Sequence, residues 1–231
     1  MANFPGNNAA FRAVPVDSRS VFITRTYTHL VAGILGFILV ELGLFESGLA
    51  PQIARSMLGF NWLLILGAFM LIGWLASHTA QTSTSIGMQY FAYGAYVVAE
   101  ALIFVPLLYI ADAKAPGTID SATLITALGA GGLMLVAHRT RRNFSFLRAM
   151  LMWGGVLALL AIVGGVVFGL KLGTWFSVLM IGFAGAAVLY DTSNIIHTYP
   201  EDRYVSAAMQ LFASIALMFW YVLRLLMGNR N

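Results

Sequence analysis

The chain has 231 residues, 60% hydrophobic and only 10% charged, with a mean hydropathy of +0.83. A soluble domain carries ~25% charged residues and a disordered segment has the opposite balance, so both classes are excluded. Without cysteine there are no disulfides, thiolate metal sites, iron–sulfur clusters or thiol nucleophiles. The net charge of +4 does not indicate a nucleic-acid partner, because basic loops of a membrane protein give the same balance.

A helix needs roughly 20 apolar residues to cross a ~30 Å hydrocarbon core. Residues 1–25, polar and containing Arg12, Arg19 and Arg25, read as a flexible tail with no signal peptide. Seven apolar runs follow, at 26–45, 59–76, 86–110, 121–137, 149–170, 172–190 and 204–223. The first contains Glu41, the third Glu100 and Pro106, and the sixth runs into Asp191. The fourth is rich in glycine. The pattern predicts an all-α, polytopic integral membrane protein with a transmembrane domain over 26–227 and a short C-terminal tail over 228–231. The ~10-residue alternating segments of a membrane β-barrel are missing.

With the N-terminus inside, the inner segments hold Arg12, Arg19, Arg25, Arg139, Arg141, Arg142, Arg148 and Arg203. The outer ones hold Arg55, Lys114, Lys171, Arg224 and Arg230. This bias predicts a cytoplasmic N-terminus and a C-terminus outside. The basic loop at 139–148 is expected to face anionic lipid. Trp62, Trp153, Trp175, Trp220 and Tyr221 fall near span ends and read as interfacial anchors.

Ionisable groups inside a membrane are functional candidates by default. Glu41 lies about a turn from the end of its span and is expected to reach headgroup water. Glu100 is deeper, near Pro106; it lines a water-filled path or pairs with a neighbouring helix. Asp191 carries the most information. Asn194 follows at three residues and His197 at three more, forming a polar stripe on one helix face. Gly182, Ala184, Gly185, Ala186 and Ala187 precede it, and small residues let helix backbones approach in lipid. In an antiparallel hairpin, Gln210 and Ser214 of the seventh span bracket the depth of Asp191. With Ser206 they form a stripe spaced by four, able to donate hydrogen bonds to a carboxylate. The residues leave open whether this is polar glue or a proton-sensitive latch.

Several enzyme classes find no support. An intramembrane aspartyl protease needs a second aspartate in the seventh span. A retinal protein needs a lysine inside the bundle. The H-E-x-x-H zinc motif and the Gly-x-Ser-x-Gly elbow are missing. The four histidines, His29, His78, His138 and His197, are widely separated, so no metal site, catalytic residue or resident cofactor is expected.

The run Tyr190-Asp191-Thr192-Ser193-Asn194-Ile195-Ile196-His197, closing the sixth of seven spans, resembles the Bax inhibitor-1 family, in its bacterial YccA-like branch. Arg25-Thr26-Tyr27, the turn ending in Asn143-Phe144-Ser145-Phe146-Leu147 and the short connection at Lys171 extend the resemblance over the whole chain. The resemblance implies six helices around a central one. It also implies a pH-sensitive calcium leak in which an acid at Asp191 pairs with a second acid, with a basic residue near the inner end of the second span contributing. Here the second acid's position falls at Ser214, and that end of the second span offers His78. The YccA-like branch is associated with restraint of a membrane-anchored AAA protease of FtsH type, to which the tail presents itself. The expected function is therefore modulation of membrane-protein quality control at the inner membrane. A calcium or cation leak gated at Asp191, with Glu100, Gln210 and Ser214 as oxygen ligands, is the alternative. A solute transporter ranks third.

Overall fold

The computed structural model describes residues 18–140, 142–169 and 172–228, and every regular element among them is helical. In chain order these are α1 (Ser18–Glu46), α2 (Ala50–Gly59), α3 (Trp62–Thr82), α4 (Ile86–Lys114), α5 (Thr118–Thr140), α6 (Leu147–Phe168), α7 (Thr174–His197) and α8 (Tyr204–Gly228). Seven of them, all but α2, are long and apolar enough to cross a membrane. Their outer faces carry large apolar side chains, with Phe91 71% and Leu179 70% exposed. Such an apolar exterior suits acyl chains and would be insoluble in water.

α1 and α5 outrun their apolar runs at both ends, and α3, α4, α7 and α8 do so at their C-terminal ends. α1 starts at Ser18, so residues 18–25 are its first two turns rather than part of a tail. The polarity that hid them faces outward or is satisfied locally, as where Thr24 and Thr28 donate to the carbonyls of Ser20 and Thr24. Residues 1–17 and 229–231, where the rest of the two expected tails falls, lie outside the described residues. α2 was not expected. Gly48, at φ +72, takes the left-handed turn out of α1, and Pro51 sits in the first turn of the new helix. Ala50 and Ala54 of α2 pack flush against Val105 of α4. α3 is capped by Asn61, whose side chain accepts from the Leu63 amide at 2.9 Å. α4 passes through Pro106 without interruption.

α8 is the central helix. It packs against α1, α3, α4, α5 and α7, and its Leu211, Phe212, Val222 and Leu223 are buried. Phe212 meets Phe37 of α1 and both Tyr93 and Tyr96 of α4 edge-on, with centroids 6.1–6.3 Å apart. Such aromatic contacts add about 0.5–1.5 kcal/mol each beyond the area they bury. The expected ring of six is modified in one place: α6 packs on α7 and α3 and does not pack on α8. Gly154 lets α6 approach α7, since a methyl group there would meet the Phe183 ring. Of the small residues on α7, Ala184 and Gly185 are buried, and Gly185 faces Leu133 of α5.

One end of the bundle gathers the start of α1 and the α3–α4, α5–α6 and α7–α8 connections. Arg203 in the last of these donates to the Ser83 carbonyl at 2.5 Å. The Phe144 amide donates to Ser193 Oγ at 3.0 Å. Arg139, Arg142 and Arg148 belong to this end and are exposed; Arg141 lies outside the described residues.

Candidate functional site

The residues around Asp191 come together because α7 continues as a helix through the polar octapeptide to His197. Helical spacing then turns its side chains to different neighbours. Asp191 faces α8, where Ser214 Oγ donates to Asp191 Oδ2 at 2.5 Å. A hydroxyl donating to a carboxylate makes a short, charge-assisted bond. Ser206, two turns earlier on α8, pairs with the Tyr199 hydroxyl at 2.7 Å. Ser193 points the other way: it accepts from the Phe144 amide and donates to the Arg142 carbonyl at 3.3 Å, fastening the α5–α6 connection. Thr192 is fully buried, and its hydroxyl has no partner among the described residues. His197 is exposed and bonds to the Ser193 carbonyl through Nδ1.

The end of α7 is held by Arg19 of α1. Its Nε donates to the Ile196 carbonyl at 3.0 Å, Nη2 to Ile195 at 2.7 Å and Asn194 at 3.3 Å, and Nη1 to Tyr199 at 2.5 Å. The last four carbonyls of a helix lack intrahelical partners and carry the negative end of its dipole. One guanidinium serves three of them here. Phe22, a turn further along α1, lies under the Arg19 guanidinium at 4.9 Å and stacks on Tyr199 with centroids 6.3 Å apart.

A polar pocket of about 480 Å³ opens at this end, lined among others by Gln81, Arg148, Tyr190, Asp191, Asn194, Tyr199, Arg203 and Gln210. Tyr190 was named only within the family-like octapeptide, and Asp191, Asn194 and Gln210 were expected together. Gln81, Arg148, Tyr199 and Arg203 were not. Arg148 was placed with the lipid-facing basic loop; it stands on the pocket wall because it lies in the first turn of α6. Arg203 is also paired with Asp202 at 3.2 Å. One carboxylate and two guanidinium groups therefore share this pocket. Protonation of Asp191 would add a donor to a site where the carboxylate only accepts.

Three expectations are corrected. Glu100 is not part of this site: it is buried on α4, bonded to Tyr96, and lines a separate apolar cavity. His78 is exposed and stacks on Trp74, centroids 5.6 Å apart; Gln81, three residues on, faces the pocket instead. Glu41 does not reach headgroup water. It is 7% exposed, and neither carboxylate oxygen has a hydrogen-bond partner among the described residues. Of the expected interfacial aromatics, Trp153 and Trp175 are exposed. Trp62 and Trp220 instead stack on one another at 6.2 Å.

Seven apolar helices, with α8 buried at their centre and a polar pocket at one end, define a multi-pass membrane protein. The family model for "Inhibitor of apoptosis-promoting Bax1" matches residues 19–231, and the chain belongs to this Bax inhibitor-1 family. It is 34% identical over 110 residues to the "Modulator of FtsH protease YccA" of Escherichia coli K12, covering 44% of this chain and 50% of that one. The "Inner membrane protein YccA" of Escherichia coli O6:H1 matches to the same extent. An uncharacterized protein of Pseudomonas aeruginosa is 32% identical over 121 residues, covering 51% of this chain and 53% of the other. The chain thus spans about half the length of the curated relatives it matches.

Proposed function

We propose that this chain modulates a membrane-anchored AAA protease of FtsH type, acting by binding and not by catalysis, with no resident cofactor. In this reading it lies in the inner membrane with the Arg-rich end cytoplasmic, as the positive-inside rule favours, and its C-terminus outside. The kinship with a modulator of FtsH supports the partner. The observation that carries the mechanism is the bonding of Arg19 to the end of α7. Residues 1–17 precede Ser18 directly, so they join the bundle beside the Asp191 pocket. A protease engaging them pulls on the turn that holds α7. Co-reconstitution of the full chain with an FtsH-type protease tests this: degradation of a membrane substrate should slow, and deletion of residues 1–17 should abolish both slowing and co-purification. Unchanged degradation and no co-purification with the full chain would end the proposal.

A pH-gated calcium or cation leak is the second reading, favoured by Asp191 facing a polar pocket in contact with Ser214. Arg148 and Arg203 on the same wall oppose cation entry. Dye-reported calcium entry into liposomes across pH decides it. Flux that Asp191→Asn alters supports the leak; no flux at any pH removes it.

A further inference from the structure

α6 is the helix least covered by protein. Among its described residues only Leu147, at its start, is buried. Where it fails to reach α8, a cavity of about 920 Å³ lies between α3, α4, α6, α7 and α8. Its walls are apolar, with Leu66, Phe69, Ile103, Phe104, Leu159 and Ile162 among them. The α6 side chains at its rim, Met152 and Val156, are 60% and 45% exposed, so the cavity is a cleft that opens sideways toward lipid. Glu100 and Arg224 are the only charged side chains among the described residues that line it.

Their positions differ. Glu100 lies midway along α4, bonded to Tyr96, at the deep end of the cleft. Arg224 lies in the last turns of α8, level with Trp62 at the start of α3 and with Leu172, whose carbonyl accepts from Arg224 Nη2 at 3.0 Å. Arg224 thus marks the mouth, at the end of the bundle opposite the Arg-rich one. Below it runs the aromatic wall of Trp62, Trp220 and Phe104, with Trp220 edge-on to Phe104 at 4.9 Å.

We propose that this cleft binds one acyl chain of an anionic phospholipid, with the lipid phosphate on Arg224. Two observations carry this: an apolar slot open to the bilayer, and a guanidinium at its headgroup end. Basic pockets between membrane helices recognise lipid phosphates, and guanidinium pairs with phosphate through two parallel bonds. The bound chain bridges α6 to α4 and α8, on neither of which α6 packs among the described residues.

Tryptophan quenching by brominated acyl chains tests the site. Trp74, Trp153 and Trp175 are outside the cleft lining and are replaced by Phe, leaving Trp62 and Trp220 as reporters. The full chain is reconstituted in vesicles of phosphatidylethanolamine with brominated phosphatidylglycerol or brominated phosphatidylethanolamine. Phosphatidylglycerol should quench with about fivefold higher affinity, the size of one basic contact to an anionic lipid. Arg224→Gln should erase that preference and Arg224→Lys should retain most of it. Gly155→Leu, where a Cβ meets only ordinary contact with Phe183 at 3.7 Å, should fill the cleft and lower quenching by both lipids. Equal quenching by the two lipids, unaltered by Arg224→Gln, would mean that the tryptophans sense bulk bilayer and would overturn the proposal. So would quenching that Gly155→Leu leaves unchanged.

Discussion

Arg19, in the first turn of α1, donates to the backbone carbonyl of Tyr199, 180 residues away in sequence and just beyond the end of α7. With its bonds to Asn194, Ile195 and Ile196, this makes the first turn of the chain's first membrane helix the C-terminal cap of its sixth. Arg19→Ala should therefore lower stability by about 2–3 kcal/mol, since bonds to charged groups are each worth more than neutral ones. Arg19→Lys should recover only part, because an ammonium has three donors on one nitrogen and cannot span the four carbonyls that the planar guanidinium reaches. Thermal unfolding in detergent, with hydrogen exchange at residues 196–199, measures both effects.

Ser214 and Asp191 should behave as a coupled pair. Ser214→Ala leaves a carboxylate oxygen short of a donor and should cost about 1–3 kcal/mol. In an Asp191→Asn background the same change should cost less, because the acceptor is no longer a carboxylate. A double-mutant cycle from unfolding midpoints gives the coupling; additivity would show that the 2.5 Å contact contributes nothing.

Tyr199 lies outside the membrane-spanning helices, between α7 and α8. Burial raises its phenol above the ordinary value of 10.0. The Ser206 bond opposes this, the Asp191 charge adds to it and the Arg203 charge opposes it. A raised pKa in the folded state means stability that is fully present below about 10 and lost as pH rises through the higher folded value. Unfolding midpoints should fall at strongly alkaline pH, and Tyr199→Phe should flatten that fall while lowering stability at neutral pH through loss of the Ser206 bond.

Gly33 lies against Tyr93, whose hydroxyl donates to the His29 carbonyl at 3.1 Å. A methyl group at Gly33 would land on that hydroxyl. Gly33→Ala should push the Tyr93 ring off His29 and cost about 1–3 kcal/mol as overpacking. The double change Gly33→Ala with Tyr93→Phe should recover part of the loss, as read by thermal unfolding.

The seven crossings were legible because hydropathy sums over some twenty residues and tolerates single polar groups. It failed where polar residues are still helical: the first turns of α1, the end of α3 at His78–Thr82 and the octapeptide of α7. α2 escaped as well, because ten residues with Pro51 and Arg55 give no membrane-length run. The Asp191–Ser214 register could be counted along a hairpin of two antiparallel helices, since it depends only on helical rise and turn length. Glu100 and His78 could not be placed by counting. Which neighbour a side chain meets depends on the rotation of its helix within the bundle.

Composition and spacing by themselves determined that the chain is an all-helical membrane protein and that Asp191 falls at the depth of Gln210 and Ser214 on the last helix. Both are local consequences of apolar length and of 3.6-residue periodicity. Only the tertiary structure decided that α8 is central, that Arg19 caps α7, that two arginines share the Asp191 pocket and that Glu100 lines a different cleft. Those features rest on backbone carbonyls and on the sideways packing of helices. Carbonyls are present at every residue, whatever its side chain, so the sequence cannot single out the ones Arg19 finds.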